Sequence, residues 1–186
     1  MKYIFYFIIV IVIYRLIHFL TTPFLKKLKI YKYYSPLFLI VPYMPAKYEI
    51  HLGTSWDFFK LPSINTKVYI NYLAEGLLKL IEDVEKCKIK SNAVFKGNTY
   101  YFKPKTLERF GFTFRKLKPI EFILFLLSYI ETTILHSISN KKLTIIHLNN
   151  LYISTISAKE LLYKKQELLE FTLLEKSKRK EYMFHS

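Results

Sequence analysis

The chain has 186 residues, room for one domain of ordinary size, and 52% of them are hydrophobic, which argues against disorder of the bulk. Twenty-nine basic against fourteen acidic residues give a net charge of +15, which attracts polyanions such as an anionic lipid surface or nucleic acid. The single cysteine, Cys87, excludes an internal disulfide and any Cys-rich zinc site, and four glycines in all disfavour Gly-rich phosphate loops.

Residues 3–20, YIFYFIIVIVIYRLIHFL, form an apolar run at the short end of what a membrane-spanning helix needs. Arg15 lies toward its C-terminal end, from where its side chain can snorkel to the headgroups, and Tyr3, Tyr6 and Tyr14 are placed as an interfacial aromatic belt. No small-x-small cleavage site follows, so a transmembrane anchor over 1–22 is expected rather than a signal peptide. Only Lys2 precedes the run, whereas Lys26, Lys27, Lys29 and Lys32 follow it; this asymmetry predicts a single-pass protein with a cytoplasmic body. Those four lysines, interleaved with tyrosines in KKLKIYKYY, are the expected membrane-surface binding residues, at about 1 kcal/mol each near a charged leaflet.

Pro36, Pro42 and Pro45 rule out a continuous helix and predict a basic, aromatic juxtamembrane linker over 23–46, with an apolar patch at 37–41. The body, 47–175, reads as α+β: one small mixed domain of about five short strands and three main helices. Residues 48–52 alternate as a strand. Apolar residues at spacings of three and four predict an amphipathic helix over 67–86, capped by Asn65 or Thr66. Gly97-Asn98 suggests a hairpin between 93–95 and 99–102. A short helix is expected from Pro104 to Arg109, stopped by Gly111, then a strand over 112–117.

Pro119 opens a helix expected to run to about His136, apolar all round over 120–135 except for Glu121 and Glu131. Such a helix is buried either in a core or in lipid. Two β-rich runs, 143–147 and 151–156, flank Asn149-Asn150, and the capping box Ser157-Ala-Lys-Glu160 opens a final helix before a basic tail at 176–186.

The segment with most chemistry is His51-Leu-Gly-Thr-Ser-Trp-Asp57, which holds the only tryptophan. At a strand end it can present His51 as a general base, with Ser55 and Asp57 as its catalytic companions. A plainer reading makes Thr54-x-x-Asp57 a capping box and Trp56 a core residue. A composite site of His51 with Glu131 or His147 is a further arrangement that three dimensions allow. No H-E-x-x-H, P-loop, dinucleotide fingerprint or nucleophile elbow occurs, so neither a metal nor a cofactor is expected. The basic residues are dispersed rather than gathered with aromatics as in RNA-binding strands, which makes anionic membrane lipids, and a membrane protein partner, the expected partners ahead of nucleic acid. The expectation is a membrane-anchored protein whose basic domain binds a membrane or envelope partner at the bilayer surface without catalysis. The alternative is a membrane-bound enzyme acting on a lipid or envelope substrate through 51–57.

Overall fold

The computed structural model describes residues 2–60, 66–100, 102–145, 147–148 and 151–184. The class is α+β. A six-stranded mixed sheet, β1 (Lys32–Ser35), β2 (Phe38–Met44), β3 (Lys47–His51), β4 (Val94–Thr99), β5 (Thr113–Lys116) and β6 (Tyr152–Ser157), runs in the order β1-β2-β3-β4-β6-β5. Only β3 and β4 are parallel, and the crossover joining them is α2 (Ser55–Lys60) with α3 (Thr66–Glu85). The remaining helices are α1 (Lys2–Lys27), α4 (Pro104–Glu108), α5 (Pro119–Asn140), α6 (Ala158–Tyr163) and α7 (Lys165–Phe184).

The expected linker over 23–46 is instead the last turn of α1 followed by the first hairpin of the sheet. Leu37, Phe38, Leu39 and Ile40 are all fully buried, because a short continuous apolar run is what a strand covered on both faces requires. Pro42 is tolerated because it lies past the end of β1, where that side of β2 has no strand to accept its missing N–H bond. Helix α3 packs on this hairpin: Tyr69, Leu73, Leu77, Leu80 and Ile81 are buried on its inner face, and Gly76 lies where a Cβ would fall 2.4 Å from the Phe38 ring. Asp83 of α3 fixes β1 through Tyr34 (2.8 Å) and Lys32 (2.6 Å).

Two further expectations change. The hairpin around Gly97 is one continuous strand, β4, in the middle of the sheet. Gly97 serves close approach rather than a turn, since a Cβ there would sit 3.2 Å from the Ile50 carbonyl oxygen. The run 143–147 forms no strand among its described residues. Lys141 ends α5 in the left-handed conformation, and Thr144 donates its backbone N–H to Ser137 Oγ (3.0 Å), which turns the segment back along α5 and away from the sheet. The capping box at Ser157 forms as the spacing predicts: Ser157 Oγ accepts the Glu160 N–H at 3.1 Å. The helix it opens divides into α6 and α7, and α7 continues to Phe184, so most of the expected tail is helical.

Helix α5 bends by 53° between 119–126 and 128–138; at the bend the Ser128 hydroxyl donates to the Phe125 carbonyl (2.9 Å). His136, on its inner side, is buried against Phe58, Tyr69 and Tyr100, and burial pushes its imidazole down to about 3. The outer side exposes Ile123, Ile130, Ile134 and Ile138. The expected transmembrane anchor over 1–22 finds no support: among the described residues no single helix is long and apolar enough to cross a membrane, and the two halves of α5 meet that test only as a bent pair. The side chains at 2, 4, 7, 8 and 11 of α1 lie outside the description.

Candidate functional site

The carboxyl ends of the parallel strands β3 and β4 open onto a cleft of ≈ 340 Å³, walled on the far side by α1 and α5. Space beyond the carboxyl ends of parallel strands is where α/β folds commonly hold ligands, because the chain leaves the sheet there and exposes backbone and loop residues together.

Each wall follows from local sequence. On β3, side chains two apart share a face, so Glu49 and His51 stand together: Glu49 Oε2 is 3.7 Å from His51 Nε2. The His51 imidazole beside it holds the Glu49 carboxyl below its ordinary range, against the opposing effect of burial. Gly53, at φ +82°, then turns the chain out of β3 into α2, a conformation that favours glycine. Thr54 and Asp57 close the start of α2. Asp57 Oδ2 accepts from the Thr54 N–H (2.9 Å), the Thr54 hydroxyl (2.8 Å) and the Tyr33 hydroxyl, while Oδ1 faces Lys26 Nζ at 3.6 Å.

Helix α1 supplies the opposite wall. Arg15 and His18, three apart, lie on one face of the mostly apolar stretch 3–20 of the helix. Arg15 Nη1 pairs with Glu131 Oε2 of α5 at 3.2 Å, and Glu131 Oε1 accepts the Ser55 hydroxyl at 2.9 Å. One carboxylate therefore ties α1, α2 and α5 together above the cleft. His18 Nε2 shares a hydrogen bond of 3.1 Å with the Tyr31 hydroxyl. From β4, Thr99 lines the floor, 3% exposed, and its Oγ1 has no hydrogen-bond partner within the protein.

Helix α1 is docked, not loosely tethered, and Pro23 is the cause. Proline carries no N–H, so the Phe19 carbonyl four residues earlier loses its helical donor. Trp56 Nε1 fills that place at 2.8 Å, and its ring stacks on Phe19 with centroids 4.7 Å apart. Thr22 is buried beside this contact, 3% exposed.

The residues expected from the sequence are thus divided. His51 and Ser55 line the cleft, together with Glu131, whereas Asp57 does not; its carboxylate is taken up at the start of α2. His147 is exposed and lies off the cleft. Of the four lysines expected to bind a membrane surface, Lys26 is engaged by Asp57 and the Tyr33 ring (4.0 Å), and Lys32 by Asp83; Lys27 and Lys29 are exposed. Arg15, His18, Glu49 and Thr99 are additions that sequence reading passed over. Two spacings held the signal: Arg15-x-x-His18 on one helical face and Glu49-x-His51 on one strand face.

Chemically the cleft offers a guanidinium, two carboxylates, two imidazoles and several hydroxyls against apolar walls such as Leu52, Phe125 and Leu135. Among the described residues no group of three or more His, Cys, Asp or Glu side chains is placed to hold a metal ion. In comparisons with known proteins, no family model matches the chain, and no match is found among curated proteins or solved structures.

Proposed function

We propose that this is a membrane-associated protein whose basic α+β domain works at the bilayer surface and takes a membrane-derived ligand or partner group into the cleft between α1, α5 and the sheet. One observation carries this reading. The two helices that wall the cleft meet through the Arg15–Glu131 pair on their inner sides, and on their outer sides expose large apolar residues: Ile13, Leu16 and Leu20 of α1, and Ile123, Ile130 and Ile134 of α5. Exposed apolar surface of this extent on adjacent helices marks a membrane or partner interface.

The docking of α1 shapes how it enters lipid. The turns of α1 that precede Arg15, Tyr3 to Tyr14, are about 18 Å long, against about 30 Å of hydrocarbon in a bilayer. On this reading α1 works together with the outer faces of its docked turns and of α5, and part of the domain lies within the interface. The lysine asymmetry favours a cytoplasmic body, with Lys27 and Lys29 available to anionic headgroups.

Vesicle flotation of the detergent-solubilised chain tests this reading. Leu16→Asp with Ile130→Asp, both at exposed positions, abolishes association, while the exposed polar-face change Lys47→Glu leaves it intact. Association that survives the double change and disappears in high salt refutes it in favour of a purely electrostatic contact.

A catalytic reading of the same cleft is favoured by the Glu49–His51 pair, in which a carboxylate orients an imidazole beside the Ser55 hydroxyl's segment, the arrangement a general base needs. It expects His51→Gln to remove turnover while ligand binding persists; equal loss of both counts against it.

A further inference from the structure

The charge of the cleft runs opposite to that of the chain. The protein carries +15, yet among the described residues no lysine lines this cavity; its one guanidinium is set against two carboxylates, with the His18 and His51 imidazoles beside them. Arg15 is already paired with Glu131. An anionic head such as a phosphate would have to separate that pair and would then face the Glu131 carboxylate it freed, with the nearby Glu49 carboxylate already engaged by His51. An uncharged head meets no such opposition.

What the walls offer is suited to hydroxyl recognition. Thr99 Oγ1 is buried without a partner in the protein, and a buried hydroxyl in that state gains a full hydrogen bond when a ligand supplies one. Asn98, the preceding residue of β4, also lines the cavity. Leu52, Phe125 and Leu135 supply apolar contact for the atoms that follow the head. A cavity of ≈ 340 Å³ is at the small end for ligand sites, which span roughly 300–1,000 Å³. It fits a small head and the start of a chain, with the remainder left to the bilayer.

We propose that the cleft binds the uncharged, hydroxyl-bearing head of a membrane amphiphile, with a head-group hydroxyl hydrogen-bonded to Thr99 Oγ1 and the acyl chain passing between α1 and α5 into lipid. The proposal rests on the membrane reading above and adds the class of ligand, set by charge: neutral heads are accepted and phosphorylated ones rejected.

The test uses the full chain in phosphatidylcholine nanodiscs, with two probes of equal chain length: 1-oleoylglycerol and 1-oleoyl lysophosphatidate. Binding is read from Trp56, the only tryptophan, which follows the cleft residue Ser55. The expected result is saturable binding of oleoylglycerol, weakened about tenfold by Thr99→Val for one lost hydrogen bond and restored by Thr99→Ser. Leu52→Phe, which fills the cleft without removing a polar group, lowers binding too and covers the case in which Thr99→Val unfolds. Tighter binding of the lysophosphatidate, sensitive to the same changes, overturns the neutral-head assignment while the cleft stands as a ligand site. Binding of both probes that ignores Thr99 and Leu52 overturns the cleft as the site. A chain that does not enter nanodiscs overturns the membrane reading itself, and the proposal with it.

Discussion

Trp56 donates its indole N–H to the Phe19 carbonyl at 2.8 Å, the one carbonyl in α1 that Pro23 leaves without a helical donor. A proline in the N-terminal helix and the only tryptophan of the chain thereby form one joint between α1 and the rest of the domain. The stacked Phe19 ring and the edge-on Phe59 ring complete it.

Trp56→Phe keeps the stacking and removes the donor, so it is expected to destabilise the protein by about 1–2 kcal/mol. Pro23→Ala restores the helical N–H and gives the Phe19 carbonyl an alternative partner. The loss caused by Trp56→Phe is therefore expected to shrink in the Pro23→Ala background, a coupling that a double-mutant cycle by denaturant unfolding in detergent measures. Strict additivity of the two changes contradicts the joint.

Glu131 holds three helices through Arg15 and Ser55, with the ion pair about 30% exposed on each side (28% and 31%). Glu131→Gln keeps the shape and a hydrogen bond to Ser55 but leaves the Arg15 guanidinium without its counter-charge. A pair this accessible lies between the surface and buried cases, so a loss of roughly 1–2 kcal/mol is expected. The sharper readout is local. Amide exchange of the α1 turn around His18 should accelerate in Glu131→Gln while exchange in α3 does not change; uniform acceleration across the chain would show a global effect instead.

Acid weakens the fold in two windows that begin at different pH and overlap at the acid end. His136 has its folded pKa lowered to about 3 by burial, so the unfolded chain takes up that proton first as pH falls. Its contribution is complete above the unfolded value of about 6.5 and is lost as pH falls toward 3. Glu121 is held well below the carboxylate range, first by Arg115, whose guanidinium meets it at 2.6 and 2.7 Å, and further by the Lys118 N–H and Lys96. Its contribution is complete above about 4.3 and is lost only below that value. Thermal melts across pH should show His136→Phe flattening the upper window and Glu121→Gln the lower one, and a single shared window in both variants would contradict this assignment.

How far the residues announced this structure depends on the kind of signal. Periodicity worked where one face is buried and the other wet: the spacing of Tyr69, Leu73, Leu77 and Leu80 predicts α3, and the reciprocal side chains at Ser157 and Glu160 mark the start of α6. It failed where prolines stood in a strand. Residues 36–45 look like a linker because Pro42 removes a donor, and only the sheet order shows that β2 has an unpartnered stretch there to accommodate it. Gly97 looks like a turn for the same reason, since the need for close approach to Ile50 is a long-range fact.

The site was half visible. His51 and Ser55 stand out as polar residues gathered in one segment, but Arg15 and His18 were masked by the apolar helix that carries them. Their partners, Glu131 and Tyr31, are 116 and 13 residues away in the chain, and only the docking of α1 through Trp56 brings the four around one cleft.

The claim on which the rest depends is that the outer faces of α1 and α5 lie in lipid while the domain stands at the surface. Nitroxide accessibility measures this directly. In a Cys87→Ser background, single labels at Leu16, Ile130 and Lys47 are compared in anionic vesicles for collision with oxygen and with a water-soluble nickel chelate. The expected result is oxygen-dominated contact at Leu16 and Ile130, 55% and 70% exposed in the protein, with nickel-dominated contact at Lys47. Nickel-dominated contact at all three positions would contradict it, placing both apolar faces in water or against a protein partner that the bilayer does not supply.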